Sequence, residues 1–139
     1  VCILFYLNID QFNELFNVFL EIEMKELVKK YYDGMYYGDA DKLNEVFHSE
    51  ARLQGYMQGQ MLLLDYAQWL EILSQSEAPA VTKQPYQFDI MKVDETGDIA
   101  TIKVTNLLGG MSFIDYLSLL RADGQWKIVN KLFHHEPIN

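Results

Sequence analysis

Asp115 is the one acid in the run Met111-Ser112-Phe113-Ile114-Asp115-Tyr116-Leu117-Ser118-Leu119-Leu120-Arg121, and His134 lies in the following segment, Trp126 to His135. A carboxylate in so apolar a strand must find hydrogen bonds or a cation once it leaves water, and either state suits proton transfer. Paired as a hairpin, the two segments put Asn130 and His134 diagonally beside Asp115, within reach of its side chain. The functional reading is a general base at Asp115 assisted by His134. The competing reading is a buried polar network that fixes the strand ends and satisfies itself.

Those positions depend on a register, and the register depends on turns. Asp123-Gly124 between two segments rich in aromatic and branched residues is a strong hairpin signal, because a type I′ turn needs positive φ at both central residues. Gly109-Gly110 fits a second two-residue turn, and Glu95-Thr96-Gly97 a three-residue one. Counting back from these turns gives cross-strand rows on one face: Tyr86, Asn106, Phe113, His134; then Phe88, Val104, Asp115, Leu132; then Ile90, Ile102, Leu117, Asn130; then Lys92, Ala100, Leu119, Ile128. Nearly all the aliphatics share that face, and a one-residue slip would scatter them. The opposite face mixes Met91, Ile114, Tyr116, Val129 and Phe133 with Asp89, Thr101, Lys103, Ser118 and Lys131. Too apolar for a solvated face and too charged for a core, it suits a wet interface with a second copy.

Upstream, apolar residues recur with helical spacing from about Asp10, a plausible N-cap, to Tyr37, with Gly38 as C-cap. One continuous helix and a break near Glu21-Ile22-Glu23 both fit, and Met24 marks where an amino-terminal extension (1–23) would give way to the main domain (24–139). A short helix follows over Asp41 to Phe47, then two short strands in Arg52 to Leu64 around Gln58-Gly59. Asp65, with Gln68 three residues on, caps a helix whose face is Tyr66, Trp69, Leu70 and Leu73. Ser74 to Pro85 reads as a loop. Helices first and then a curved antiparallel sheet with one apolar face define an α+β domain. The extension, from Val1 to Leu20, is too apolar to float, so it is expected to pack on an outer surface or partner chain, or to act as a lid over the mouth of the domain.

Around Asp115 the candidate ligand wall consists of Tyr86, Phe88, Asn106, Phe113 and Asn130 from the sheet, with His48, Tyr56 and Trp69 opposite. Tyr31, Tyr32, Tyr36 and Tyr37 carry more hydroxyls than a core easily satisfies, so Tyr32 or Tyr36 should reach a pocket or interface. Trp69 and Trp126 read first as core and second as a ligand platform; His48 reads first as a cap or loop histidine. His134-His135-Glu136 is no metal site, because neighbouring strand residues point to opposite faces. No cofactor motif, phosphate loop or nucleophile elbow is present. The net charge of −9 opposes a nucleic-acid surface. A single cysteine, Cys2, excludes an internal disulfide, and the apolar opening Val1 to Leu7 is too short to span a bilayer. A cytoplasmic protein, bound to neither membrane nor nucleic acid, is the expectation.

Tyr32…Gly34…Gly38-Asp39, Phe47-His48-Ser49-Glu50-Ala51, and above all Asp115 to Arg121 followed by Asp123-Gly124-Gln125-Trp126-Lys127-Ile128-Val129-Asn130-Lys131 resemble the nuclear transport factor 2-like superfamily. The closing segment is most similar to the putative lumazine-binding family, and SnoaL-like cyclases and ketosteroid isomerase-like domains are related. The resemblance covers Met24 onward. It implies a cystatin-like cone, a pocket between sheet and helices for a small apolar or aromatic, pterin-like molecule, and a homodimer through the outer sheet face. It also raises an enzymatic alternative, an isomerase, dehydratase or cyclase using Asp115 and His134, and a structural alternative, a dimerisation module with a filled core.

Overall fold

The computed structural model describes residues 8–137, so Val1 to Leu7, Cys2 among them, lie outside the described residues. Helix α1 (Ile9–Tyr37) is capped by Asn8, two residues before the expected cap Asp10. Asn8 Oδ1 accepts from the Gln11 N–H at 2.8 Å while the Gln11 side chain accepts from the Asn8 N–H at 3.1 Å, a reciprocal capping box. The helix passes unbroken through Glu21-Ile22-Glu23, because no glycine or proline interrupts it there, and ends at Gly38 with φ 66°. Burial begins at Met24; before it, Phe12, Phe16, Phe19 and Ile22 stay exposed. No helix among the described residues is long and apolar enough to cross a membrane.

Helix α2 (Ala40–Val46) is capped by Asp39, and helix α3 (Tyr66–Ser74) by Asp65 and Gln68 as expected. Six strands follow or intervene: β1 (Phe47–Met57), β2 (Gln60–Asp65), β3 (Tyr86–Thr96), β4 (Ile99–Leu108), β5 (Met111–Ala122) and β6 (Gln125–Pro137). They form one sheet in the order β2-β1-β6-β5-β4-β3. The sheet is mixed and not wholly antiparallel, since β1 runs parallel to β6, with Leu53 beside Lys131 and Gly55 beside Phe133. The carboxyl-terminal half of α1, with α2 and α3, covers its inner face, where Val28, Tyr31, Leu43, Phe47 and Trp69 meet Ile102, Val104, Leu117 and Ile128.

Between β4 and β5 the register is the expected one: Asn106 faces Phe113, Val104 faces Asp115, Ile102 faces Leu117 and Ala100 faces Leu119. Two other pairings differ. The β3–β4 turn has two residues, Gly97 and Asp98, because Thr96 pairs with Ile99; a bulge between Ile90 and Lys92 then brings Val93, not Ile90, opposite Ile102, and moves Lys92 from the expected inner row to a place opposite Lys103. Tyr86 thus pairs with Leu108 and Phe88 with Asn106, on the expected face but one step along.

At the last hairpin, Asp123 and Gly124 have φ of 52° and 77°, as a type I′ turn requires, and Leu119 faces Ile128 as expected. Beyond that pair a bulge opposite Ser118 and Leu119 leaves Val129 as an extra residue. An extra residue inverts the in–out alternation of everything after it. Leu117 therefore faces Lys131, Asp115 faces Phe133 and Phe113 faces His135. Lys131, Phe133 and His135 turn inward, whereas Asn130, Leu132 and His134 turn outward, correcting the expected rows.

Phe133 is seated against β1 at Gly55. A Cβ at Gly55 would overlap the Phe133 carbonyl oxygen and come within 2.7 Å of its ring. Gly55→Ala is expected to cost about 1–3 kcal/mol or more by forcing β1 from β6. A lowered denaturation midpoint with an unchanged slope would show it; an unchanged midpoint would contradict this packing.

Candidate functional site

Asp115 is 1% exposed, on the helix-covered side of the sheet. Consecutive tyrosines of α1 reach it together, because their rings stack with centroids 4.3 Å apart. Tyr32 Oη donates to Asp115 Oδ2 at 2.5 Å, and Tyr31 Oη donates to the same oxygen at 3.1 Å. Asn106 Nδ2 donates to Tyr32 Oη at 2.9 Å and, more distantly, to Asp115 Oδ2 at 3.4 Å. Asp115 Oδ1 has no hydrogen-bond partner among the described residues. Burial first, and the Asp115 charge second, hold both phenols well above the ordinary tyrosine value, so both stay protonated donors at neutral pH.

Beside this cluster the bulge delivers Lys131, which had been placed on the outer face. It is 5% exposed, and its Nζ stands 5.2 Å from the ring centroids of Tyr31 and Trp69 and 5.3 Å from that of Phe133. Among the described residues it forms no ion pair, so three ring faces supply its nearest electrostatic support. Burial holds the Lys131 ammonium below the ordinary lysine value, and the charge of Asp115 offsets part of that. Farther along β6, His135 Nε2 accepts from the Gln58 N–H at 2.7 Å, tying the β1–β2 turn to the sheet.

The sequence-derived candidates divide into those the fold gathers and those it separates. Tyr32, Asn106 and Asp115 are joined directly; Phe88 stacks on Tyr32 at 5.3 Å, and Trp69 joins through Lys131. Tyr36 and Tyr86 stack at 4.9 Å, and Tyr86 Oη donates to Asp33 Oδ1 at 3.1 Å. His134 does not reach Asp115: it is exposed on the outer face, paired with Ile114. Asn130 pairs with Ser118, and Tyr56 is 49% exposed beside His134, so neither lines the cone. His48 is exposed, its Nδ1 accepting from the Glu50 N–H at 3.0 Å as a local cap. Trp126 is buried beside the Asp123-Gly124 turn, under the Arg121 guanidinium at 4.7 Å. Lys131 and His135 were missed as inward residues because the doublets Ile128-Val129 and Leu132-Phe133 bury an apolar residue in either phase.

A cavity of about 460 Å³ opens at the mouth of the cone, between α1, α2, α3, the residues after α3 and the β4–β5 turn. Leu43, Leu70, Leu73, Leu108 and Phe113 give it an apolar lining. Phe113 and Asp115 share a strand face two residues apart, roughly 7 Å, so one lining residue of the cavity is a strand neighbour of the buried carboxylate. A larger groove of about 780 Å³ along α1, α2 and the start of β6 is lined by Glu23, Glu26, Lys29, Lys30, Asp33 and Glu45 among others, where Lys29 pairs with Asp33 and Lys30 with Glu45.

Helices closing one face of a curved six-stranded sheet around an enclosed polar cluster define the nuclear transport factor 2-like class of α+β domains. Residues 21–134 match the family described as putative lumazine-binding, and the chain belongs to that family. Among solved structures, it is similar to an NTF2-like protein of unknown function from Silicibacter pomeroyi, with 28% identity, a TM-score of 0.78, and coverage of 86% of this chain and 98% of that one. Another of unknown function, from Shewanella baltica, shares the fold at 22% identity and TM-score 0.76, over 87% and 97% of the two chains. A cystatin-like protein of unknown function from Nostoc punctiforme does so at 15% identity and TM-score 0.64, over 84% and 91%. Among curated proteins, the chain is 27% identical over 107 residues to the aldolase FrzH of Cladobotryum sp., covering 77% of this chain and 84% of that protein.

The buried groups give stability an opposed pH dependence. Lys131 titrates below its ordinary 10.5 in the folded chain, so just below that pH the unfolded state binds the extra proton and stability rises with pH. Tyr31 and Tyr32 keep protons above 10.0 that the unfolded state releases, so there stability falls. Denaturation from about pH 7 to about pH 11 should trace a maximum. Lys131→Met should flatten the rise, and Tyr32→Phe should soften the fall. A wild-type profile without a rise would show that Lys131 titrates normally.

Proposed function

We propose that this domain binds a small, predominantly apolar molecule carrying a polar end, seated in the mouth cavity with that end toward the Asp115 cluster. The observation that carries this reading is the apolar cavity of about 460 Å³ whose lining residue Phe113 shares a strand face with Asp115. Its size lies within the range of small-molecule sites, and apolar walls with a few convergent polar groups are their usual chemistry. The family description suggests a lumazine-like heterocycle, and the name of the aldolase relative suggests a carbonyl compound. Lumazine and apolar aromatic aldehydes are therefore the first ligands to screen by thermal unfolding. A ligand at a hundredfold excess over its Kd stabilises the native state by about 2.7 kcal/mol. Leu73→Arg places a cation in the lining and should abolish that shift, measured against the variant's own unliganded midpoint because Leu73 also packs on the core. A shift that survives Leu73→Arg would place the ligand elsewhere.

We also propose that a second copy covers the outer sheet face. The row Tyr116, Leu132, Gln54, Leu63 and the row Ile114, His134, Tyr56, Met61 cross β5, β6, β1 and β2. Tyr116, Leu132, Leu63, Tyr56 and Met61 are 51%, 49%, 69%, 49% and 60% exposed, an apolar patch that extends onto β1 and β2. Phe133, expected in this patch, is buried inside, and Leu132 takes its place. Tyr116→Glu should shift sedimentation toward a monomer at micromolar concentration. A wild-type monomer would refute the interface.

A further inference from the structure

Lys131 has no role in ligand seating as described, yet a lysine inside a core among aromatic rings is a costly placement. Three observations coincide there. Its Nζ is caged by Tyr31, Trp69 and Phe133 at 5.2–5.3 Å without an ion pair among the described residues. The register sets it diagonally across β5 and β6 from Asp115, whose Oδ1 has no hydrogen-bond partner among the described residues. Trp69, one of the three caging rings, lies on the same helix as Leu70 and Leu73, which line the mouth cavity.

We propose that Lys131 is an amine nucleophile that condenses with the carbonyl carbon of a small aldehyde or ketone entering from the mouth cavity, with Asp115 as the proton carrier. The proposal rests on the cavity reading above and adds a substrate class and a covalent step to it. The ammonium first passes a proton to Asp115 through a water admitted with the substrate, since the two groups form no direct ion pair among the described residues. The free amine adds to the carbonyl carbon, the C=O π pair moves to oxygen, and a proton moves from nitrogen to that oxygen, giving a carbinolamine. Protonated Asp115 returns its proton to the hydroxyl, which leaves as water, and the nitrogen lone pair forms the iminium bond. The sum is ammonium plus carbonyl to iminium plus water, with Asp115 a carboxylate again. That carboxylate can then take a proton from the carbon next to the iminium, giving a neutral enamine, the carbon nucleophile of aldol-type bond formation. The lowered proton affinity of the buried ammonium favours the first transfer.

The test is reductive trapping of the wild-type chain with acetaldehyde and sodium cyanoborohydride near neutral pH, with sites read by peptide mass spectrometry. Lys131 should be alkylated at least roughly tenfold faster than exposed Lys25, Lys83 or Lys92. Leu73→Arg should slow alkylation of Lys131 and leave the surface sites unchanged. An unmodified Lys131, or one modified no faster than the surface sites, overturns the proposal, as does a Lys131 rate indifferent to Leu73→Arg. The thermal-shift screen on the same protein separates the two readings: a Leu73-dependent ligand shift with an inert Lys131 removes the covalent step alone, and no shift from any ligand removes the cavity reading too.

Discussion

The hydrogen bonds from Tyr31 and Tyr32 to Asp115 hold the two layers of this domain in one relation to each other. An ionised carboxylate at 1% exposure would be prohibitive unsupported, and an apolar core alone would tolerate α1 at several rotations and heights on the sheet. Two phenols from adjacent helical positions can meet one carboxylate oxygen in only one such arrangement. The cluster thus converts nonspecific burial into a defined docking of helix on sheet. Asn106 fastens the same oxygens to the neighbouring strand, so α1, β4 and β5 share one polar centre.

That centre also shapes what chemistry the cone can offer. The phenols remain donors, so the site presents hydrogen-bond acidity next to a carboxylate with one oxygen unengaged among the described residues. Lys131 adds a cation whose nearest support is π-electron density, a weaker anchor than a carboxylate contact, leaving its proton more labile. Relatives with this fold and no known function are compatible with such economy, because the shared cone specifies a place for chemistry and the inward side chains specify which chemistry.

The fold was legible where local chemistry and periodicity agree. Gly38, Asp65 with Gln68, and Asp123-Gly124 are positions whose residue types demand a cap or turn, and all three were read correctly. The β4–β5 register followed because its Gly109-Gly110 turn is tight and both strands are free of bulges. Asn106 and Asp115 were therefore legible on one face of adjacent strands, whereas the contact of Tyr32 with Asp115 was not. What escaped along β6 has a common cause: a bulge leaves no requirement for a particular residue type, and Val129 looks like any other strand valine. Counting from the turn without it put His134 and Asn130 inside and hid Lys131 and His135. The parallel β1–β6 pairing was equally silent, because it joins segments with four strands and a helix between them and no turn records it.

The bulge at Val129 also bears on how such a domain could change its chemistry over evolutionary time. Strand β6 carries two interleaved alphabets, Lys131-Phe133-His135 and Asn130-Leu132-His134, and only the phase set by one unpaired residue decides which is read by the interior. Deleting that residue would exchange a buried amine and two rings for an amide, a leucine and a different imidazole, while the hairpin turn and the first pairs beyond it stayed in place. A single-codon deletion or insertion could thus rewrite several cavity positions at once, a larger step through ligand space than any point substitution offers. Families built on this sheet could diversify by slipping a strand as well as by replacing side chains.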